Sequence, residues 1–408
     1  MKKILCAALC VLMVLGSLSV CACADDRLEV TIWDYFETDA QREMMDMLLN
    51  GFNESQDTYF ATHEYVPFAN YKTQLQLGMT TGELPDLLIM DNPDMPAFAA
   101  SGLLADISDY LEDFDDIDLY FPGPMNSTTL DGKHYGLPFC SNCLCLFYNK
   151  DMFAAAGIDF VPKTWEDVEK ASAMLLECKE VSATPLGFAG VATEEGTFQF
   201  MPWLYMAGAT YETVGSDAGV EAMSFIKGLI DKGYLSKEIT SWAQTDVNNQ
   251  FMAGAIAMQF NGPWQLPGIA ANAPELNYGV TLLPEGPAGT ASGLGGENLA
   301  VVNGDNVAGA VEFLYYYNQP ENMIAAQKVY GAFPSRSDAA ADEYWTADPV
   351  QATFIEQLNT AVARGPHASW PSISEALYTM LQEVVIGTSE PAAACAAAQA
   401  KIDAILAK

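Results

Sequence analysis

The chain has 408 residues, half of them apolar, and a formal net charge of −35. This apolar fraction supports a large buried core, and the length suffices for two domains. The negative charge argues against nucleic acid and anionic lipid surfaces as partners, because both repel carboxylates.

The first 24 residues have the layout of a secretory signal peptide. A basic start at residues 1–3 precedes an apolar run over 4–20, and small residues with cysteines follow. The small Ala22 favours lipoprotein processing with the lipid on Cys23. Cleavage after Ala24 by an ordinary signal peptidase is the alternative. We therefore expect an extracellular protein held at the membrane by a lipid anchor.

Strands alternate with helices along the rest of the chain, which predicts an α/β fold. A strand over 28–33 precedes a helix capped by Thr38 or Asp39. A second strand over 87–90 ends at polar residues. Thr164 opens a capping box for a helix that reaches about Cys178, and the Ala-rich segment from Pro391 predicts a final helix.

The cysteines after the signal peptide are expected to be small packing residues in the protein interior. They are Cys140, Cys143, Cys145, Cys178 and Cys395. Their number is odd if Cys23 carries lipid, so they cannot all pair. A strand predicted over 142–149 places Cys143 and Cys145 on one face, where they act as small apolar groups. No second Cys/His pair has zinc spacing, so we predict no metal.

A strand over 255–260 runs into the turn Asn261-Gly262-Pro263-Trp264. Glycine gives the backbone freedom, and proline ends the strand pairing, so the indole projects beyond the sheet. Such an indole is either a core residue or a platform for an apolar ligand face. The turn alone leaves both interpretations open.

Signatures of catalysis and of cofactor binding are mostly missing from the sequence. It has no phosphate-binding Gly loop and no nucleophile elbow. The Gly-rich residues 293–298 do not match a dinucleotide fingerprint. We therefore predict no cofactor and no catalytic residue. A secreted acidic glycosidase with paired carboxylates remains an alternative.

Four stretches in order resemble the extracellular solute-binding proteins of ABC importers, specifically the carbohydrate-binding family 1 that includes maltose-binding protein. They cover residues 82–106, 131–167, 251–264 and 295–336. Each motif alone is weak, but their order and spacing match the family across nearly the whole mature chain.

The resemblance implies a two-lobed, type II periplasmic-binding-protein-like α/β fold with the ligand cleft between the lobes. One lobe would take residues 25–139 plus 294–332, and the other 140–293 plus 333–408. Hinge crossings would fall near Phe139, Leu294 and Ala332. The implied partner is an ABC permease, and the protein would act as a monomer without catalytic activity.

The resemblance also implies a ligand site for a neutral mono- or oligosaccharide. Trp264 matches the family's stacking tryptophan, with Gly262 in the same motif, and Phe198 lies near another aromatic position in the stretch before Trp203. The remaining candidates end the first strand, follow the second strand, follow the second crossing, or lie in a late loop: Trp33, Asp34, Tyr35, Asp91, Asn92, Glu297, Asn298 and Trp370. The acidic charge leaves a cationic peptide or polyamine as an alternative ligand.

Overall fold

The computed structural model describes residues 27–112, 114 and 116–407. The predicted signal peptide and lipid attachment at Cys23 fall on residues 1–26 and lie outside the described residues. Among the helices of the described ranges, none combines the length and the apolar composition needed to cross a membrane.

The strands of the described ranges form two main sheets and two small ribbons. They are β1 Leu28–Asp34, β2 Tyr59–Tyr65, β3 Leu87–Asp91, β4 Thr129–Leu130, β5 Lys133–His134, β6 Gly136–Pro138, β7 Cys145–Asn149, β8 Thr184–Gly187, β9 Ile256–Asn261, β10 Tyr278–Thr281, β11 Ser292–Leu294, β12 Glu297–Val301 and β13 Ala361–Ala363.

Helices cover the faces of both sheets, as in other layered α/β folds. They are α1 Asp39–Ser55, α2 Phe68–Thr81, α3 Met95–Ala100, α4 Ser108–Leu111, α5 Pro122–Ser127, α6 Lys150–Ala155, α7 Trp165–Glu177, α8 Glu194–Ala207, α9 Asp217–Asp231, α10 Gln244–Met252, α11 Leu266–Asn272, α12 Val307–Asn318, α13 Pro320–Tyr330, α14 Ser337–Ala340, α15 Glu343–Ala347, α16 Pro349–Leu358, α17 Trp370–Ile386 and α18 Pro391–Leu406. Short 3₁₀ turns include Lys237–Ser241 and Pro263–Gln265.

The first sheet has the strand order β2-β1-β3-β12-β6, and the second has the order β10-β7-β9-β8. Strand β12 comes from late in the chain, yet it pairs with β3 and β6 in antiparallel fashion. In its register, Glu297 lies opposite Asp91. The chain therefore returns to the first sheet after building the second, and two predicted site residues become neighbours.

Local sequence signals set the beginnings of the helices. The Thr38 side chain accepts a hydrogen bond from the backbone of Gln41, whose side chain bonds back to the N-cap. Thr164 and Asp167 form the same reciprocal pair at α7. Both capping predictions are confirmed, because the two partners of each box lie three residues apart and need no distant contact.

The predicted strand over 142–149 begins later than expected, at Cys145. Asn142 instead exchanges two backbone hydrogen bonds with Gly295, in a bridge outside the sheet. Cys143 and Cys145 are fully buried among apolar side chains. All five cysteines of the described ranges are free thiols.

Candidate functional site

A polar cavity of about 680 Å³, including the solvent at its mouth, opens between the two main sheets. Loops and helix ends from both sheets line it: Tyr35, Glu37, Thr38, Gln41, Phe68, Asp91, Asn142, Glu194, Glu195, Phe198, Gln244, Thr245, Trp264, Gly296, Glu297, Tyr330 and Arg364.

The loop after β1 reaches the cavity because Asp34 holds it from behind. The buried Asp34 carboxylate accepts a hydrogen bond from the backbone of Phe36 at 2.9 Å. Its second oxygen lies 2.6 Å from Nδ1 of His63. These contacts fix the turn that presents Tyr35 and Glu37 to the cavity.

Trp264 supplies an aromatic wall of the cavity. It is 8% exposed, and its ring centroid lies 6.3 Å from that of Phe198. The indole lies over Gly262, where an added Cβ would be only 1.9 Å from a ring carbon. Glycine is therefore needed at this position to leave room for the ring, although its φ of −106° is ordinary.

Arg364 joins carboxylates from distant parts of the chain. Its guanidinium donates two hydrogen bonds to Asp91, at 2.8 and 3.0 Å, and a third to Glu194 at 2.7 Å. Its Cζ lies 4.3 Å from the ring centroid of Phe198. A buried guanidinium with this geometry pairs with two carboxylates and covers an aromatic face.

The hydrogen-bond and ion-pair network around Arg364 extends behind the cavity. Trp370 donates its indole N–H to Glu194 at 3.1 Å, and Lys72 lies 3.8 Å from the other Glu194 oxygen. Lys72 also pairs with Asp94 at 2.8 Å. Burial raises the pKa of Asp94 to about 7, against the opposing charge of Lys72.

Glu297 is a buried carboxyl beside the network. It accepts hydrogen bonds from the Cys140 thiol at 2.7 Å and from the Tyr330 hydroxyl at 3.3 Å. Burial raises its pKa to about 7, and the charge of Asp91 adds to that rise. The group therefore keeps its proton to a higher pH than an ordinary glutamate does.

Two further carboxyls of the cavity, those of Glu37 and Glu195, lie beside the N-terminal end of α10. Glu195 accepts the backbone N–H of Gln244 at 2.8 Å, and Glu37 accepts the hydroxyl of Thr245 at 2.6 Å. Burial, with a smaller effect of the negative charge of Glu37, raises the pKa of Glu195 to about 7. Consecutive residues of α10 thus hold two carboxylates that repel each other.

Several buried polar atoms of the cavity lining have no hydrogen-bond partner among the described residues. They are the Tyr35 hydroxyl, Oδ1 of Asn142, Oε2 of Glu194 and Nε of Arg364. Buried polar atoms in native proteins are normally paired, so a polar ligand or water is required to satisfy them.

The cavity brings together five of the predicted site residues. Tyr35, Asp91, Phe198, Trp264 and Glu297 all line it. Asp34 and Asn92 lie just behind the lining: Asp34 fixes the β1 loop, and the Asn92 oxygen is 3.4 Å from Arg364.

The structure places other predicted residues away from the cavity. Trp203 is fully buried and stacks on Phe260, because it follows Phe198 by five positions on α8 and faces another side of the helix. Asn298 bonds to Ser127, since neighbouring residues of a strand point to opposite faces.

Three more of the predicted site residues do not line the cavity, namely Trp33, Gly262 and Trp370. Trp33 is partly buried and packs against an apolar cluster of the first sheet. Gly262 lies beneath the Trp264 ring. Trp370 is fully buried and reaches the site only through Glu194.

Most of the polar lining carries no signal that predicted it from the sequence. Arg364 is the most consequential omission, followed by Glu194, Glu195, Gln244 and Thr245. One signal was present, because Arg364 follows the short apolar run 361–363 and precedes Gly365-Pro366. An arginine in such a setting is buried only when it is paired.

No group of three or more His, Cys, Asp or Glu side chains in the described part of the chain is arranged to hold a metal ion.

Comparisons with known proteins identify the family that has this architecture. Residues 48–353 match the family of bacterial extracellular solute-binding proteins. The sn-glycerol-3-phosphate-binding periplasmic protein UgpB of Brucella abortus is 27% identical over 355 residues, which covers 80% of each chain. Another Brucella abortus binding protein, whose name gives no ligand, is 27% identical over 357 residues and 85% of each chain.

Solved structures show the same two-lobed periplasmic-binding-protein fold. The GacH receptor of Streptomyces glaucescens, solved unliganded and with acarbose, has a TM-score of 0.84 and 26% identity, covering 94% of this chain and 99% of that one. An ABC transporter solute-binding protein of Thermotoga lettingae bound with α-D-tagatose has a TM-score of 0.85 and 28% identity, covering 93% and 100%.

Proposed function

This chain belongs to the family of bacterial extracellular solute-binding proteins, and on that basis we propose that it captures a mono- or oligosaccharide and delivers it to an ABC permease. The observation that carries the proposal is the composition of the cavity. Aromatic faces of Trp264, Phe198 and Tyr35 lie in one space with amide, hydroxyl and carboxylate groups. Sugars present C–H faces and hydroxyls that suit these two kinds of surface.

The charges of the cavity oppose an anionic ligand. Of the residues that line it, Arg364 alone is basic, and Asp91 and Glu194 already neutralise its guanidinium. A phosphate ester would add negative charge next to several carboxylates, at a high cost in free energy. We therefore propose a sugar without an acidic group, although the UgpB relatives are named for glycerol 3-phosphate.

Two lobes would close over the sugar. We propose lobe boundaries at residues 25–139 plus 294–332 and at 140–293 plus 333–408. The sheet memberships support this division, because β1, β2, β3, β6 and β12 form one sheet and β7 to β10 form the other. The closed form would be the shape that the permease recognises, with the chain held outside the cell by lipid on Cys23 and without catalytic activity of its own.

A thermal-shift screen of the mature protein against saccharides, polyamines, peptides and glycerophosphocholine tests the function. A saccharide at 100 times its Kd should stabilise the protein by about 2.7 kcal/mol. Stabilisation by polyamines, peptides or glycerophosphocholine alone contradicts the proposal.

The Trp264→Ala variant tests the site. It should lose the sugar-induced shift and keep a folded apo form, because the indole lies at the cavity surface. The matched control is Trp242→Ala, which removes a partly buried indole outside the cavity and should keep the shift. Glycosidic turnover of chromogenic substrates would instead favour the glycosidase alternative.

A further inference from the structure

Glu37 and Glu195 are cavity carboxyls for which the described residues provide no ion-pair partner. The two carboxylates come from the β1 loop and from the first turn of α8, and consecutive residues of α10 hold them. The ion pairs of Arg364 and Lys72 involve Asp91, Asp94 and Glu194 and leave this pair out.

We propose that the sugar bound here carries a protonated amine, which lies between Glu37 and Glu195. The inference rests on the proposed function and names the substrate class of the same site. The neutral sugar that the sequence suggested thereby becomes an amino sugar. An ammonium group would donate to both carboxylates and remove their repulsion, and charge-assisted hydrogen bonds of this kind are the strong ones.

Two buried hydrogen-bond acceptors of the cavity lining supply an independent observation. Asn142 is only 4% exposed, and its Oδ1 has no partner among the described residues. Oε2 of the 3% exposed Glu194 has no hydrogen-bond partner among the described residues either, and Lys72 Nζ lies 3.8 Å from it. Both side chains line the cavity, so a ligand that donates hydrogen bonds would satisfy them.

The arrangement also explains how recognition would be coupled to closure. Glu37 belongs to the chain segment of the first sheet, whereas Glu195 and Thr245 lie between strands of the second. An amine that engages both carboxylates would hold the two sides of the cavity together. A hydroxyl at the same place would bring no positive charge to the two carboxyls.

Matched saccharide probes test the inference by isothermal titration calorimetry. The set comprises D-glucosamine, N-acetyl-D-glucosamine and D-glucose with their β-1,4-linked dimers and trimers, plus spermidine and glycerophosphocholine. An amine that gains charge-assisted hydrogen bonds should bind about tenfold or more tightly than its N-acetyl and hydroxyl counterparts.

Variants assign the preference to the pair. Glu195→Gln keeps an acceptor for the Gln244 N–H and should bring the amine and N-acetyl affinities to within about threefold, and Glu37→Gln should do the same. Glu238→Gln, an exposed carboxylate in the turn Lys237–Ser241, is the control and should retain the full preference. A preference that survives in Glu195→Gln and Glu37→Gln overturns the assignment.

The possible results distinguish a failure of the amine inference from a failure of the sugar-binding function. Equal or tighter binding of the neutral or N-acetyl sugar overturns the amine inference and leaves the sugar-binding function standing. Binding of none of these saccharides overturns the amine inference, whereas binding of spermidine or glycerophosphocholine alone overturns the sugar-binding function and the inference with it.

Discussion

Arg364 and Asp91 form a two-point ion pair across the cavity, with N···O distances of 2.8 and 3.0 Å, although 273 positions separate them in the chain. Asp91 ends β3 of the first sheet, and Arg364 directly follows β13. The same guanidinium bonds to Glu194 at the start of α8. One buried cation therefore connects three segments that are distant in the sequence.

Replacing Arg364 by glutamine should destabilise the protein strongly. The variant leaves Asp91 and Glu194 buried without their cation, and loss of one partner of a buried ion pair typically costs about 3–5 kcal/mol. Urea denaturation followed by circular dichroism measures the change in the free energy of unfolding. Adding Asp91→Asn to the variant should recover part of the loss, since it removes one of the uncompensated charges.

The matched control for this prediction is Arg42→Gln. Arg42 is exposed, and its pair with Asp39 has an N···O distance of 4.0 Å. Exposed pairs contribute about 0–1 kcal/mol, so this variant should unfold almost as the parent does. Similar losses in the two arginine variants would show that the buried network does not form as described.

Gly262→Ala should weaken sugar binding with little loss of stability. A methyl group there would collide with the Trp264 ring at 1.9 Å, so the indole must leave its place on the cavity wall. The backbone itself tolerates alanine, because φ is −106°. We expect about a tenfold loss of affinity for the best saccharide, from reduced stacking area. Calorimetric titration measures the affinity.

Gly268→Ala in α11 serves as the control for Gly262→Ala. Nothing lies within 4 Å of its added Cβ, so alanine should leave binding unchanged. An alanine in a helix should also stabilise slightly, by about 0.5–1 kcal/mol. If both variants bind the sugar as the parent does, Trp264 does not contact the ligand.

The parts of the fold that could be predicted depend on neighbours in sequence. Thr38 and Thr164 cap their helices through residues three positions away, and apolar periodicity marks α7 without reference to the rest of the chain. The turn at Gly262 likewise predicted that Trp264 projects from a strand end. These signals need only a few consecutive residues.

The polar half of the site depends on contacts between distant segments. The role of Arg364 follows from its ion pairs with Asp91 and Glu194, and no local sequence pattern predicts those pairs. Trp203 and Trp370 were expected at the ligand because indoles suit sugar rings, but the direction of an indole is decided by which helix face is buried. The residue type alone does not show whether an indole faces the ligand or the core.

The unliganded protein should become less stable as the pH rises through weakly acidic to neutral values. Burial raises the pKa of Asp94, Glu195 and Glu297 to about 7 in the folded state, from ordinary values of 3.8 to 4.5. The folded state thus binds more protons than the unfolded chain between those limits. Stability is greatest below the ordinary values, declines as the pH approaches about 7, and then levels off.

Differential scanning calorimetry between about pH 5 and about pH 8 measures this slope. His63 contributes in the same direction, since its hydrogen bond to Asp34 raises its pKa and that stabilisation is lost on deprotonation. Glu297→Gln should flatten the profile, because one of the three buried acids no longer titrates. A melting temperature that rises with pH over this range contradicts the assignment of these carboxyls.

Alkylation should distinguish Cys178 from the other cysteines of the mature fold. Cys178 is partly exposed at the end of α7, whereas Cys140, Cys143, Cys145 and Cys395 are buried. Burial raises the pKa of the Cys140 thiol well above its usual value, and the carboxylate of Glu297 adds to this, so little reactive thiolate forms. Iodoacetamide should label Cys178 first in the native protein.

Peptide mass spectrometry over a time course identifies the labelled cysteines. Concentrated guanidinium chloride should expose the four buried thiols, and Cys178→Ser should remove only the rapid phase. Because Cys140 bonds to Glu297 beside the cavity, its protection also reports on closure. A Cys140 that reacts as fast as Cys178 without ligand, and slowly with saturating sugar, would mean that the unliganded lobes open far enough to expose the Glu297 side of the site.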